Sequence, residues 1–162
     1  ASDIDPYVDR MSGLSLMTET PVAGKIILTR KKEDLGITEM TLANGAKVIL
    51  KPTDFKNDEI LFRAFSPGGY SVYPESDFMS ASNAADVIRE CGVATFTPTE
   101  ISKLLAGKKL NLSPYISAYY EGFNGSSVPK DLEPMLQLLH LYFTQPRKDQ
   151  ELFQSYINKQ KE

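Results

Sequence analysis

The dipeptide Asn44-Gly45 constrains the fold of this chain more than any other pair of residues. It separates two short runs of period two: Met40 and Leu42 alternate with polar residues before it, and Val48 and Leu50 alternate after it. Both turn residues tolerate the positive φ that a type I′ turn demands, so the segment predicts an antiparallel hairpin. Lys51-Pro52 ends the second strand, because proline has no amide hydrogen to give to a ladder. A third strand is predicted over residues 59–65, with Ile60, Phe62 and Ala64 on one face. Arg63 on the other face is bracketed by Leu61 and Phe65, which predicts that protein covers both faces. Residues 1–36 mix Gly and Pro with short apolar pieces and hold no sustained period, so they read as a linker with one short strand over residues 25–29.

The segment Thr97-Pro98-Thr99-Glu100 supplies an N-cap, a proline for the first helical turn and a capping-box glutamate, and Gly107 closes the helix it starts. An earlier helix is predicted from Ser76 or Asp77 to Cys91, with a side-chain cap at its start and Gly92 as its stop. Its alanines Ala81, Ala84 and Ala85 share a stripe with Val87, Ile88 and Cys91. After Gly107, the stretch KKLNLSPYISAYYEG alternates as two strands bent near Pro114. A long helix follows over residues 130–144, with Leu132, Met135, Leu136, Leu139 and Phe143 on its buried side. Pro134 is tolerated there because first-turn amides have no intrahelical partner. Gln145-Pro146 breaks the helix, and a last helix starts near Asp149. Three strands, two helices, two strands and two helices describe an α+β chain: an antiparallel sheet with helices packed on one face.

With 162 residues, 41% of them hydrophobic, the chain is long enough for one ordinary core. A net charge of -3 gives no basic footprint for nucleic acid, so none is expected as a partner. No run of about 18 apolar residues occurs, so no membrane span is expected. The first residues lack a positive segment followed by an apolar one, so no targeting signal is visible. The chain begins without Met and closes on YINKQKE with no helix stop, so both ends are expected to be cuts in a longer polypeptide, truncating its last domain. The single cysteine, Cys91, borders an apolar helix face and reads as a small core residue.

Longer phrases carry more. SPGGYSVYPESDFMSASNAADVIRECGVATFTPTEISKLLAG, with LANGAKVILKPTDFKNDEI, LLAGKKLNLSPYI and SSVPKDLEPMLQLLHLYFTQPRKD, resembles the second-half repeats of pitrilysin/insulinase-like (M16) zinc peptidases, above all the large bacterial, Bacteroidetes-like forms. The resemblance covers residue 37 to the C-terminus. It implies the family's metallopeptidase sandwich, of the LuxS/MPP-like kind, in which two halves close around unfolded peptides and only the first half holds zinc. Active repeats carry His-x-x-Glu-His on a helix before a glycine, two imidazoles to grip the metal and a carboxylate to activate water. In the corresponding slot before Gly92 this chain offers Asn83, Asp86 and Val87, so the motif is degenerate, and neither metal ligands nor catalytic residues are expected here.

Other groups invite chemistry and have plainer readings. His140 sits on a helix apolar nearly all round and reads as a packed histidine. Asp86 and Glu90 are one turn apart but read as a solvated face beside Arg89. Gly68-Gly69 lacks the Lys-Ser/Thr of a phosphate loop and reads as a tight turn, and Lys108-Lys109 after Gly107 enters a strand rather than a helix. The aromatic set Tyr115, Tyr119, Tyr120 and Phe123 is a candidate peptide-binding surface, since an exposed edge strand can accept a peptide backbone; the same rings also suit a sandwich core.

The expectation is therefore a catalytically silent, substrate-enclosing and structural domain, residues 37–162, of a zinc metalloendopeptidase that degrades peptides. Its expected partners are the N-terminal catalytic half of the same chain, where the zinc would lie, and unfolded peptide substrates. The resemblance implies a periplasmic or secreted setting. Two alternatives stay open: a non-catalytic partner subunit of a heterodimer, and an unrelated extracytoplasmic binding module.

Overall fold

The computed structural model describes residues 14–161; the part of the expected linker that falls in residues 1–13 lies outside them. The described residues divide into two compact units, Met17–Asp58 and a larger one that holds residues 14–16 and 59–161.

The smaller unit is a three-stranded antiparallel sheet, ordered β1-β2-β3, of β1 (Ile26–Lys32), β2 (Ile37–Leu42) and β3 (Lys47–Leu50). The strand expected over residues 25–29 thus runs further and pairs with β2, Lys32 opposite Ile37. Lys32 Nζ meets Glu39 Oε1 at 2.7 Å across this pair. The Asn44-Gly45 hairpin forms, but by another turn than the type I′ expected. Leu42 N–H donates to Ala46 C=O at 2.8 Å, leaving a three-residue loop. Only Gly45 has positive φ, 87°, while Asn44 Oδ1 accepts from Ala46 N–H at 3.1 Å. A loop of three residues with one left-handed glycine at its end matches the twist of the strands as well as the two-residue turn does.

The larger unit is built on a second sheet, ordered β4-β6-β5, from β4 (Ile60–Pro67), β5 (Leu110–Ile116) and β6 (Tyr120–Ser127). The bend expected near Pro114 does not occur. β5 runs through it, with Pro114 opposite Phe123. The sheet order explains this, because β5 is an edge strand and a proline there forfeits no ladder bond. The register sets the faces: Phe62, Gly125 and Leu112 lie in one row, and Leu61, Ser126 and Asn111 lie in the next row on the opposite face.

Helices α1 (Phe78–Cys91), α2 (Pro98–Leu104), α3 (Leu132–Thr144) and α4 (Gln150–Lys161) complete the unit. α3 covers the Leu112/Gly125 face: Met135 Sδ would lie 3.3 Å from a Cβ at Gly125, and Phe123 packs on Tyr142 at 5.5 Å between ring centroids. Val93, Met135 and Leu141 are fully buried, with Leu112, Leu138 and Cys91 around them. The buried side of α3 is therefore Met135, Leu138, Leu141 and Tyr142, which keeps Met135 from the set expected and replaces the rest. Leu136 and Phe143 are 43% and 69% exposed. A helix apolar nearly all round gives the 3.6 period no polar side against which to fix its phase. The third-strand expectation is corrected likewise: Leu61 and Phe65 are 77% and 65% exposed, so the face of β4 that carries Arg63 is open.

α2 begins with the capping box expected. Thr97 Oγ1 accepts from Glu100 N–H, and Glu100 Oε2 accepts from Thr97 N–H at 2.8 Å. α1 departs from expectation, because a 3-10 turn over Glu75–Asp77 leads into it and Asp77 makes no side-chain cap. α4 is pinned by Asp149. Its Oδ1 accepts from the amides of Glu151 and Leu152 at 3.1 and 3.0 Å, while Oδ2 receives Arg147 Nη2 at 2.6 Å. Arg147 also donates to the Thr95 carbonyl at 3.0 Å, so the loop after α1 is hydrogen-bonded to the ion pair that precedes α4. The Cys91 thiol, 3% exposed, donates to the Asp149 carbonyl at 3.8 Å, which fits the core role expected of it.

Candidate functional site

The slot on α1 is reached from the helix upward. Asn83 lies one turn into α1, where its Nδ2 donates to the Met79 carbonyl at 2.8 Å. Its Oδ1 accepts the hydroxyl of Tyr156 at 2.6 Å, which couples α1 to α4 across 73 residues of sequence. Tyr156 is buried. Burial pushes its phenol above the ordinary range, and the carboxylates of Asp86 and Glu90 push the same way. One turn on, Asp86 Oδ1 meets Arg89 Nη2 at 2.9 Å, both half exposed. A pair of that kind is worth about 0.2–1 kcal/mol in water. Val87 is half-buried and has no donor atom.

Chemically, the three positions give a helix-to-helix hydrogen bond, a surface ion pair and a half-buried aliphatic side chain. An amide already holding a phenol and a carboxylate already holding a guanidinium do not fit a zinc site, and a valine cannot join one. Among the described residues, no cluster of three or more His, Cys, Asp or Glu side chains is placed to hold a metal ion. His140 is half-buried on α3, where its carbonyl accepts the Thr144 hydroxyl at 2.8 Å.

The aromatic set is divided. Phe123 is buried in the core, between Tyr142 and Phe143. Tyr120 is 49% exposed and meets Phe65 edge to face at 6.1 Å. Tyr119 is 70% exposed in the turn between β5 and β6. Tyr115 shares the Phe65 row through Gly122, and its hydroxyl is buried without a partner among the described residues. Tyr119, Tyr120 and Phe65 thus form an exposed aromatic end to the sheet, to which periodicity alone did not assign Phe65.

Gly68-Gly69 holds that end in place. Gly68 N–H donates to the Tyr119 carbonyl at 2.9 Å, and the amides of Tyr70 and Ser71 donate to Ser117 and Ala118 at 3.0 and 3.1 Å. Gly69 has φ 75°, and a Cβ there would run into the Ser117 carbonyl, so only glycine allows the two loops to meet. The pair serves as a backbone seam of the tight kind expected.

No family model matches the chain. A zinc protease PQQL-like protein of Arabidopsis thaliana is 32% identical over 130 residues, which is 80% of this chain and 13% of that protein. The probable zinc protease PqqL of Haemophilus influenzae is 32% identical over 105 residues, 65% of this chain and 11% of that protein. Among solved structures, the periplasmic protease PqqL from Escherichia coli aligns with a TM-score of 0.83 at 22% identity, over 98% of this chain and 17% of that one. The ferredoxin protease FusC, solved as a variant with Arabidopsis ferredoxin, aligns with a TM-score of 0.76 at 18% identity, over 91% of this chain and 17% of that one. The chain therefore spans a small part of the length of each relative, and its α+β fold is theirs.

Proposed function

The chain belongs to the pitrilysin/insulinase-like (M16) zinc peptidase family, and from that premise we propose that it is a catalytically silent, substrate-enclosing domain of a larger zinc-dependent peptidase. The observation that carries the reading is the state of the α1 slot. Asn83 is committed to Tyr156, Asp86 to Arg89, and Val87 has no donor atom, so the helix that would grip metal in an active repeat serves instead to pack one helix on another. Zinc belongs, on this reading, to a catalytic half elsewhere in the longer polypeptide, and it would there activate water for peptide hydrolysis. Residues 1–36 act as the connection between halves, their strand β1 docking in the sheet of the smaller unit.

The substrate class follows from the same premise. Unfolded peptides are the substrates expected of an enclosing peptidase, and the exposed aromatic end of the β4-β6-β5 sheet, with Tyr119 and Tyr120, is a surface on which extended chains can rest. Tyr115 lies in the Phe65 row beside that end, while Phe123 belongs to the core on the other face. A periplasmic setting accords with the family likeness. Among the described residues, no helix is long and apolar enough to cross a membrane.

The test is retention without cleavage. A fluorescently labelled, unfolded polypeptide incubated with the purified chain should show raised anisotropy and an unchanged mass. Cleavage of it by the pure chain would overturn the silent-domain reading, and unchanged anisotropy would overturn the enclosing role.

A further inference from the structure

The pair Asn-Gly occurs twice in the chain, at residues 44–45 and 124–125, and the fold sets the two in opposite surroundings. Asn44-Gly45 lies in the loop between β2 and β3, where residues 43–47 are exposed and a Cβ on Gly45 would meet nothing within 4 Å among the described residues. Asn124-Gly125 lies in β6, the middle strand of its sheet, and a Cβ on Gly125 would meet the Asn111 carbonyl at 2.8 Å and Met135 Sδ at 3.3 Å. An asparagine before a glycine is open to attack by the glycine's own amide nitrogen, because no side chain shields that nitrogen and the backbone turns freely. At Asn44 the loop also aims a donor at the oxygen that gathers charge in this attack, since Oδ1 accepts from Ala46 N–H at 3.1 Å. The cost within the loop is the bond from Gly45 N–H to the Leu42 carbonyl at 2.9 Å.

We propose that Asn44 is a self-modification site, at which the exposed hairpin loop converts asparagine to aspartate and isoaspartate while Asn124 in the sheet is spared. Hydroxide takes the Gly45 amide proton, the nitrogen bonds to Asn44 Cγ, and the side-chain nitrogen leaves as ammonia with a proton from water. Water then opens the cyclic imide. Opening at the former side-chain carbonyl gives aspartate, and opening at the main-chain carbonyl gives isoaspartate, with an extra carbon in the backbone. Nothing is oxidised or reduced, and solvent is the sole co-reactant. At Asn124 the same closure must turn a peptide plane that lies in the ladder between β4 and β5, so it waits for the sheet to open. The extra carbon lengthens a loop whose span is fixed by Leu42 N–H bonding Ala46 C=O at 2.8 Å, and so loosens the pairing that holds Thr41 opposite Lys47. The sheet of the smaller unit thereby comes to depend on the age of the protein, whatever the larger unit encloses.

The whole chain, kept warm in mildly alkaline buffer, is sampled over time, digested with trypsin and read by mass spectrometry on the peptides of residues 33–47 and 110–130. Position 44 should convert to a mixture of aspartate and isoaspartate at least about tenfold faster than position 124. In guanidinium chloride that difference should vanish, and its persistence there would overturn the role given to the fold. Equal rates in the folded chain, or an Asn44 that stays intact while guanidinium chloride allows its conversion, would overturn the inference outright. Hydrogen exchange across β2 and β3 should be faster in the aged chain than in Asn44→Asp, which carries the charge without the extra carbon. Equal exchange in the two would overturn the loosening of the hairpin.

Discussion

The hydroxyl of Tyr156 donates a hydrogen bond to Oδ1 of Asn83 at 2.6 Å, and this bond ties α4 to the middle of α1. Removing the hydroxyl leaves Asn83 Oδ1, half-buried, without its partner. Tyr156→Phe should destabilise the chain by about 0.5–1.5 kcal/mol, seen as a lower urea midpoint at constant slope. Pairing it with Asn83→Ala should recover part of that loss in a double-mutant cycle, and strict additivity would mean that the bond carries no stability.

Acid should loosen the joint between the loop after α1 and the start of α4. The Asp149 carboxyl is held below its ordinary value of 3.8, chiefly by the Arg147 guanidinium and then by the Leu152 amide. The Glu100 carboxyl is held below 4.5 by the backbone and hydroxyl of Thr97. Both pKa values are lower folded than unfolded, so the stability they contribute is present above pH 4 to 5 and is lost as pH falls through the folded values. Thermal melts from neutral pH down to pH 3 should show a falling midpoint, with a shallower fall in Asp149→Asn.

The two neighbours Met135 and Leu136 should behave oppositely. Met135 is fully buried against Gly125 and Leu112, whereas Leu136 is 43% exposed. Met135→Ala should cost about 2–5 kcal/mol as a core cavity. Leu136→Ala should stay within about 0.5 kcal/mol, as surface changes do. Similar losses at both positions would place the buried stripe of α3 elsewhere.

Tyr115 holds a buried hydroxyl with no hydrogen-bond partner among the described residues. Desolvating such a group costs about 1–3 kcal/mol. Tyr115→Phe should therefore match or exceed the stability of the parent chain in urea, and a clear loss would reveal a partner for the hydroxyl.

Elements with a local chemical signature were legible in the sequence. Thr97 and Glu100 sit three residues apart and make the reciprocal capping bonds their spacing requires, and Gly45 supplies the left-handed residue of the β2-β3 hairpin. That the slot holds Asn83 and Val87, neither of them an imidazole, a thiolate or a carboxylate, was legible as residue identity alone. The bond from Asn83 to Tyr156 was not, since nothing local announces a partner 73 residues away. The phase of α3 was hidden by its own uniformity, and the continuity of β5 through Pro114 depends on its edge position, which sheet order alone determines. Likewise, alternation marked Ile60 to Phe65 as strand but did not tell which neighbours would leave Leu61, Arg63 and Phe65 open.

The silent-domain account stands most directly on the metal content of the purified chain. After incubation with zinc and dialysis, elemental analysis should find well under one zinc per chain, and a quenched unfolded peptide should show no hydrolysis above buffer. One zinc per chain together with turnover would contradict the account.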